Sequence, residues 1–346
     1  METTPRACPS PALPLWKRLD PPTAAIAILA IALALWAPEH LGSSAGFVVR
    51  AGLGVLPFLL AAILAAAWIE AAGATHLVAK AFTGHPIRMI VAGTLIGALS
   101  PFCSCGVIPI IVALLASGVP LAPVMAFWLA SPIMDPALFL VTAGTLGLEF
   151  AIAKTLAAIA IGLFGGIGAW ALAHIGRIGT PLRPDLSRCG CNAHPSPGQA
   201  TVRWTFWREA PRIDVFRTTL ASMAWFLGRW MTLAFLLESL MVSHVPAELV
   251  ADMAGGTGAL SILNATLIGI PAYLNGYAAL PLVAGLMTQG MSAPAAMGFL
   301  LGGGVTSIPA ALAVWAATRP QVFGIYLLFA LTGSIMSAFV FGLWSR

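Results

Sequence analysis

Cys103 and Cys105 stand one residue apart in the stretch SPFCSCGVIPI, residues 100–110. Pro101 and Pro109 bracket the pair, and Gly106 follows it directly. Thiolates are soft ligands suited to Cu(I), Zn(II) and other thiophilic species. A C-x-C pair in a turn can aim both sulfurs at one ion. Gly106 permits close backbone approach, and Pro101 frees carbonyls that can face a pathway. A lone cysteine is more often a small buried apolar residue than a ligand. Two of them at a Pro/Gly break favour the ligand reading.

Asp135 is the second signal. It lies about 15 residues into an apolar run, within ASPIMDPALF. A carboxylate at mid-membrane costs ~2.5–3.5 kcal/mol on insertion scales, which makes it a functional-site candidate by default. It can bind a cation or carry a coupling proton. The competing reading is a helix-end carboxylate, because Pro132 and Pro136 flank it and break the same helix. Ser131 lies beside that break.

Weaker signals surround these. Glu70, His76, Lys80, His85 and Arg88 read as interfacial anchors, and Glu238 as a vestibule charge. Cys189 and Cys191 with His194 offer soft-metal chemistry in a Pro/Arg-rich loop. Three ligands fall short of the four of a closed zinc site. Residues 202–217 mix Trp204, Phe206 and Trp207 with arginines and read as a membrane-surface helix. Gly162, Gly165, Gly166 and Gly168 suit close helix packing. No nucleotide-binding or hydrolase motif is present, so the chain reads as a transporter without a cofactor rather than an enzyme.

The composition fixes what must position these residues. Of 346 residues, 59% are hydrophobic and 8% charged, against roughly 25% charged in a soluble domain. The chain is an all-α polytopic membrane protein. Its net charge of +5 sits mainly on arginines of connecting segments, so nucleic acid is not a partner. Full-length spans are expected at about 22–38, 46–70, 120–146, 149–174, 219–243, 293–317 and 321–344, seven in all. The first of these resembles a signal peptide but is read as an uncleaved span. Residues 87–117 and 258–289 each hold two apolar pieces too short to cross, split around PFCSCG and PAYLNGYAALP. Each is expected as a re-entrant hairpin of half-helices.

Charge sets the orientation. Residues 175–218 carry seven arginines against three acids and belong on the cytoplasmic side. With Lys17 and Arg18 also inside, a same-side hairpin at 87–117, or equivalently two short crossings, satisfies the rule, and a single kinked span there does not. The two hairpins also align without gaps at an offset of 172, with 10 identities over residues 94–129. Thr94-Leu95-Ile96-Gly97 meets Thr266-Leu267-Ile268-Gly269, and Pro109 meets Pro281. Three spans separate the hairpins, so they enter from opposite faces as an inverted repeat, a common secondary-transporter design. Asn275 and Tyr277 take the places of Cys103 and Cys105, while Thr306 and Ser307 lie in the counterpart of the Asp135 stretch.

The chain thus divides into residues 1–44 (cytoplasmic N-terminus and first span), 45–174 (first repeat), 175–218 (basic loop and interfacial helix) and 219–346 (second repeat). SPFCSCGVIPI, followed by GVPLAPVMAFWLASPIMDPALFLVTAGTLG, resembles the ArsP-type permeases. So does PAYLNGYAALPLVAGLMTQGMSAPAAMGFLLGGGVTSIPAALAV, and the likeness covers roughly residues 45–345. The resemblance implies export of trivalent organoarsenicals, copper or zinc from the bacterial inner membrane. Gly106-Val107-Ile108-Pro109 replaces the S-S-I-P of the arsenical exporters, which points to another branch. Expected partners are membrane lipid, a small inorganic or organometallic substrate and coupling protons; the oligomeric state stays open. Two other readings use the same residues: a permease for a small sulfur-containing or anionic solute, and a membrane thiol–disulfide oxidoreductase.

Overall fold

The computed structural model describes residues 21–36, 38–73, 84–100, 104–116, 118–176, 181, 202–203, 205–244, 258–272 and 276–345. Its described residues form helices and no sheet. Lipid offers no hydrogen-bond partner, so an apolar chain must satisfy its backbone internally as helix. The helices are α1 (Pro21–Trp36), α2 (Pro38–Ala71), α3 (Pro86–Leu99), α4 (Ser104–Ala116), α5 (Leu121–Ala130), α6 (Pro136–Leu146) and α7 (Leu148–His174). Then follow α8 (Ala210–His244), α9 (Ala259–Ala272), α10 (Gly276–Thr288), α11 (Ala293–Thr306), α12 (Ile308–Ala317) and α13 (Pro320–Trp344). Prolines start α3, α6 and α13, where a missing amide costs nothing. Gly147 (φ 97°) makes the tight turn from α6 into α7, a backbone state few other residues adopt.

Among the described residues, four helical stretches are long and apolar enough to cross a membrane: Leu148–His174, Ala210–Leu237, Ala293–Ala317 and Pro320–Trp344. A fifth forms if Gly42–Gly54 and Leu59–Ala71 count as one span bent by 51°. Pro57 lies between those two arms, so the missing amide accounts for the bend. Two expected spans differ from expectation. Residues 22–38 give a helix of only 16 residues. Residues 120–146 are two helices parted at Ser131–Asp135, where two prolines interrupt the hydrogen-bond ladder. Across the counterpart break only Ser307 separates α11 from α12. The stretch 202–217 is no separate surface helix, since from Ala210 onward it supplies the first turns of α8.

The offset of 172 recurs in the helix boundaries. Ser104 and Gly276, Leu121 and Ala293, Pro136 and Ile308, and Leu148 and Pro320 each open corresponding helices. Packing follows the same pairing. A Cβ on Gly97 would lie 2.6 Å from the Phe127 carbonyl oxygen, and one on Gly269 2.5 Å from that of Phe299. Thr94 and Thr266 are both buried, and their hydroxyls donate to Ile90 and Ile262 carbonyls at 2.9 and 2.7 Å. Glycine is needed where backbones come this close, which joins α3 to α5 and α9 to α11.

The expected packing role of Gly162 and Gly166 is seen. Both press α7 onto Ala126, with Thr94 and Ala130 also at Gly162 and Ile90 at Gly166. Between the halves, Phe150 and Phe164 of α7 meet Phe341 and Phe329 of α13, with centroids 5.4 Å apart in each pair. The early residue of one helix pairs with the late residue of the other, so α7 and α13 run antiparallel. The hairpin helices cross over: α4 packs against α12, and α10 against α6. One buried apolar cluster holds residues of all four, including Ile108, Leu138, Leu280 and Val314. Helices α1, α2 and α8 pack together beside this core, and α8 also meets α12.

Candidate functional site

Cys105, Gly106 and Pro109 are residues of α4, and Tyr277 and Pro281 of α10. Cys103, Pro101 and Asn275 lie outside the described residues, as do Cys189, Cys191 and His194. Helical placement has one direct consequence. The carbonyl of residue i normally accepts from the amide of residue i+4. Pro109 and Pro281 have no amide, so they give nothing to the carbonyls of Cys105 and Tyr277. Corresponding carbonyls near the start of both hairpin helices thus lack their usual donor.

Asp135 is the N-cap of α6. Its backbone is extended (φ −133°, ψ 165°), and its carboxylate accepts from the Leu138 amide at 2.8 Å. A carboxylate at a helix N-terminus is electrostatically favoured. Asp135 therefore has a structural reason to be present, and it is half-buried rather than sealed. Ser131, four residues before it, is buried and its hydroxyl has no hydrogen-bond partner. The buried Ser100 hydroxyl at the end of α3 also has none. In the second half, Ser307 is buried before α12 and its carbonyl accepts the Ala311 amide at 2.8 Å, as the Asp135 carbonyl accepts that of Phe139.

The strongest polar feature escaped the sequence reading. Lys154 lies in α7 with 0% exposure, and its Nζ has no hydrogen-bond partner. No carboxylate of the described residues lies within 4.0 Å of it, although its charge interacts with that of Asp135. The signal was available as an ammonium within a long apolar helix whose other ionisable groups, Glu149 and His174, sit in its first and last turns, subject to the same rule that singled out Asp135.

Register places Lys154 at the breaks. Gly97 of α3 sits against Phe127 and Ala130, and Gly162 of α7 sits against Thr94, Ala126 and Ala130. Helix α7 runs opposite to α5, because Gly166 meets Ala122 and Ala126. Moving eight residues from Gly162 to Lys154 spans about 12 Å along the axis. Gly162 already faces Ala126 and Ala130, so that travel carries Lys154 well past the end of α5, on the side of Asp135, whose charge it feels. Ser100 ends α3, three residues beyond Gly97, which faces Phe127 and Ala130. The C-x-C stretch starts three residues later.

The residue 172 positions beyond Lys154 is Tyr326 of α13. It too is fully buried, but its hydroxyl donates to the Val305 carbonyl. That carbonyl needs an outside donor, because its i+4 residue is Pro309. Tyr326 also stacks on Trp128 of α5, with centroids 4.6 Å apart. The second half thus satisfies its polar group at this position, and the first half leaves its own open.

The other polar residues serve elsewhere. Glu70 accepts from Thr219 at 3.1 Å, tying α2 to α8. Arg212 is buried, bonds Glu209 at 2.7 Å and donates to the Ala71 carbonyl at 3.1 Å.

Comparison with known proteins agrees with this arrangement. The ArsP_1 family, described as "Predicted permease", matches residues 40–174 and 213–345. The chain is 35% identical over 81 residues to the UPF0718 protein YcgR of Bacillus subtilis (strain 168), covering 23% of this chain and 28% of that protein. It is 23% identical over 200 residues to a Streptococcus mutans protein provisionally named a two-component membrane permease complex subunit, covering 57% and 62% respectively. The chain therefore spans about a quarter and about three fifths of the curated relatives it matches. No solved structure matches. With both matched segments together taking in well over half of its length, this polytopic membrane chain belongs to the ArsP_1 family of permeases.

Proposed function

We propose that the chain is a secondary-transport efflux permease for a thiophilic metal or metalloid, of the organoarsenical, copper or zinc kind. Cys103 and Cys105 are its soft ligands, and Asp135 supplies charge or carries a coupling proton. Asn275 and Tyr277 face the thiols from the other half, with Ser131 and Ser307 along the path. In this reading seven spans and two half-helix hairpins form an inverted repeat, and one repeat rocks against the other around a midplane site. The N-terminus and the arginine-rich segment are cytoplasmic. Support for the repeat comes from the common 172-residue offset of the helix starts and from the antiparallel pairing of α7 with α13. The Streptococcus relative's name also makes a second subunit a partner to look for.

One observation carries the transport site. Cys105 stands in the first turn of the short helix α4, inside the segment the permease family matches, and this supports the assignment. Two thiolates gripping a soft ion would trap it, so release requires protonation of one of them in the outward state. Everted membrane vesicles bearing the chain test the reading by uptake of arsenite, methylarsenite, Cu(I) and Zn(II). Wild type should accumulate at least one, and Cys103→Ser and Cys105→Ser should each abolish that uptake. Unchanged uptake by both variants ends the ligand assignment.

A further inference from the structure

We propose that the slot between the end of α2 and the chain entering α8 binds an anionic phospholipid, with an acyl chain among its aromatic rings and the phosphate on Arg208 and Arg217. The inference goes beyond the transport reading. It requires a membrane chain and no particular cargo.

The slot is open, measures about 350 Å³ and is lined by Leu64, Ala65 and Trp68 of α2, by Trp207, and by Phe216 of α8. Its walls are tied together. The Arg203 amide donates to the Ala72 carbonyl and the Arg212 guanidinium to the Ala71 carbonyl, both at 3.1 Å. Carbonyls left over at the end of α2 thereby gain donors. Phe206, buried with Ala71 and Ala72, stacks on Trp207 with centroids 5.0 Å apart, and Trp207 meets Phe216 edge-on at 5.7 Å. Trp207 nevertheless keeps 59% of its surface exposed. An indole held rigidly yet left uncovered suits the membrane interface, where tryptophan is enriched.

The slot also has a direction. From Ala71 at the helix end to Leu64 is about 10 Å along the axis. The arginine-bearing segment lies at one end and Leu64 at the other, which matches a headgroup above its chain. Each lining aromatic on the α8 side is followed directly by an exposed arginine, Arg208 after Trp207 and Arg217 after Phe216. Residues 202–217 carry four arginines against two acids, and the sign stays positive with Glu70 of α2 included. Glu209 is engaged by Arg203 and Arg212 at 2.7 Å each, whereas no ion pair among the described residues takes up Arg208 or Arg217. Asp214 is exposed on the first turns of α8.

These charges select the lipid. Guanidinium groups bind phosphate oxygens strongly, and basic residues beside a membrane attract anionic headgroups. A zwitterionic headgroup brings a cation that the arginines repel. An isologous dimer through this face would set the same arginines near their own copies.

The test uses the full chain purified in detergent. Native mass spectrometry counts retained lipid while dioleoylphosphatidylglycerol or dioleoylphosphatidylcholine is titrated. Wild type should retain one phosphatidylglycerol at a concentration about tenfold or more below that needed for phosphatidylcholine. The double variant Arg208→Gln/Arg217→Gln should lose this preference. Arg50→Gln, which removes an exposed arginine from the far arm of α2, should keep it. Trp207→Ala should weaken retention of both lipids. Equal retention of the two lipids by wild type overturns the proposal, as does a double variant that keeps the preference. An Arg50→Gln loss as large as that of the double variant shows a net-charge effect and overturns the site. Unchanged retention in Trp207→Ala removes the slot from the account. A dimer that Trp207→Ala dissociates, with no lipid retained, assigns the face to a second copy and also overturns the proposal. None of these outcomes bears on metal or metalloid uptake, so the transport reading stands or falls separately.

Discussion

Trp128 of α5 stacks on Tyr326 of α13 with ring centroids 4.6 Å apart and planes inclined by 18°. The contact joins the two halves directly beside the break that follows α5. Tyr326 also donates to the Val305 carbonyl, which Pro309 leaves without an amide. One side chain therefore closes the gap that a proline opens in α11 and holds it against the opposite half.

Tyr326→Phe should keep the stack and lose the hydrogen bond. The Val305 carbonyl would then be buried without a donor, at a cost of about 1–3 kcal/mol. Trp128→Ala removes a buried aromatic and should cost more, about 3–5 kcal/mol. Thermal unfolding of the purified protein should rank wild type above Tyr326→Phe and Tyr326→Phe above Trp128→Ala. Equal stability of Tyr326→Phe and wild type contradicts the bond's role.

Lys154→Met should act in opposite directions on stability and transport. Removing a buried unpaired ammonium relieves an insertion cost of ~2.5–3.5 kcal/mol at mid-bilayer, so the variant should unfold at a higher temperature. Its transport should fall. A variant that is both less stable and inactive points to a packing role instead.

For Asp135 the cap and the charge separate cleanly. Asp135→Asn keeps an acceptor for the Leu138 amide and should lose little stability, whereas Asp135→Ala should lose about 0.5–2 kcal/mol. If the charge serves transport, Asp135→Asn is stable yet impaired. If the residue is only a cap, Asp135→Asn transports like wild type.

Close packing at the paired glycines gives a symmetric expectation. Gly97→Ala and Gly269→Ala drive a methyl onto a backbone carbonyl, at 2.6 and 2.5 Å, and each should cost about 1–3 kcal/mol. Gly52 and Gly54 of α2 have nothing within 4 Å of an added Cβ. Alanine there should be neutral or gain up to about 1 kcal/mol from helix propensity. Thermal unfolding of the four variants checks the contrast.

Much of this was legible in the sequence, because lipid leaves few options. Apolar length marked the helices at 149–174 and 321–344, and short pieces around PFCSCG marked the breaks. The gapless match of Gly97 to Gly269 and Phe127 to Phe299 was visible in the sequence as a sign of the repeat, but that each glycine packs on the phenylalanine carbonyl of its own half came only from the structure. What was not legible came from burial. Asp135 and Lys154 are both single charges in apolar runs, yet one caps a helix and the other is sealed without an acceptor. Only the position of α5's end relative to α7 distinguishes them. Likewise, nothing in the 202–217 pattern revealed that Arg212 is buried and bonded to the Ala71 carbonyl, since its partner is 141 residues away.

The most direct test of the central claim is the arsenic coordination sphere. Arsenic K-edge X-ray absorption on the purified chain loaded with arsenite, with Cys8, Cys189 and Cys191 replaced by serine, reports the atoms bound to the metalloid. The account predicts two sulfur neighbours and retained oxygen, with one sulfur lost in either Cys103→Ser or Cys105→Ser. An arsenic that keeps only oxygen neighbours in the parent chain contradicts it.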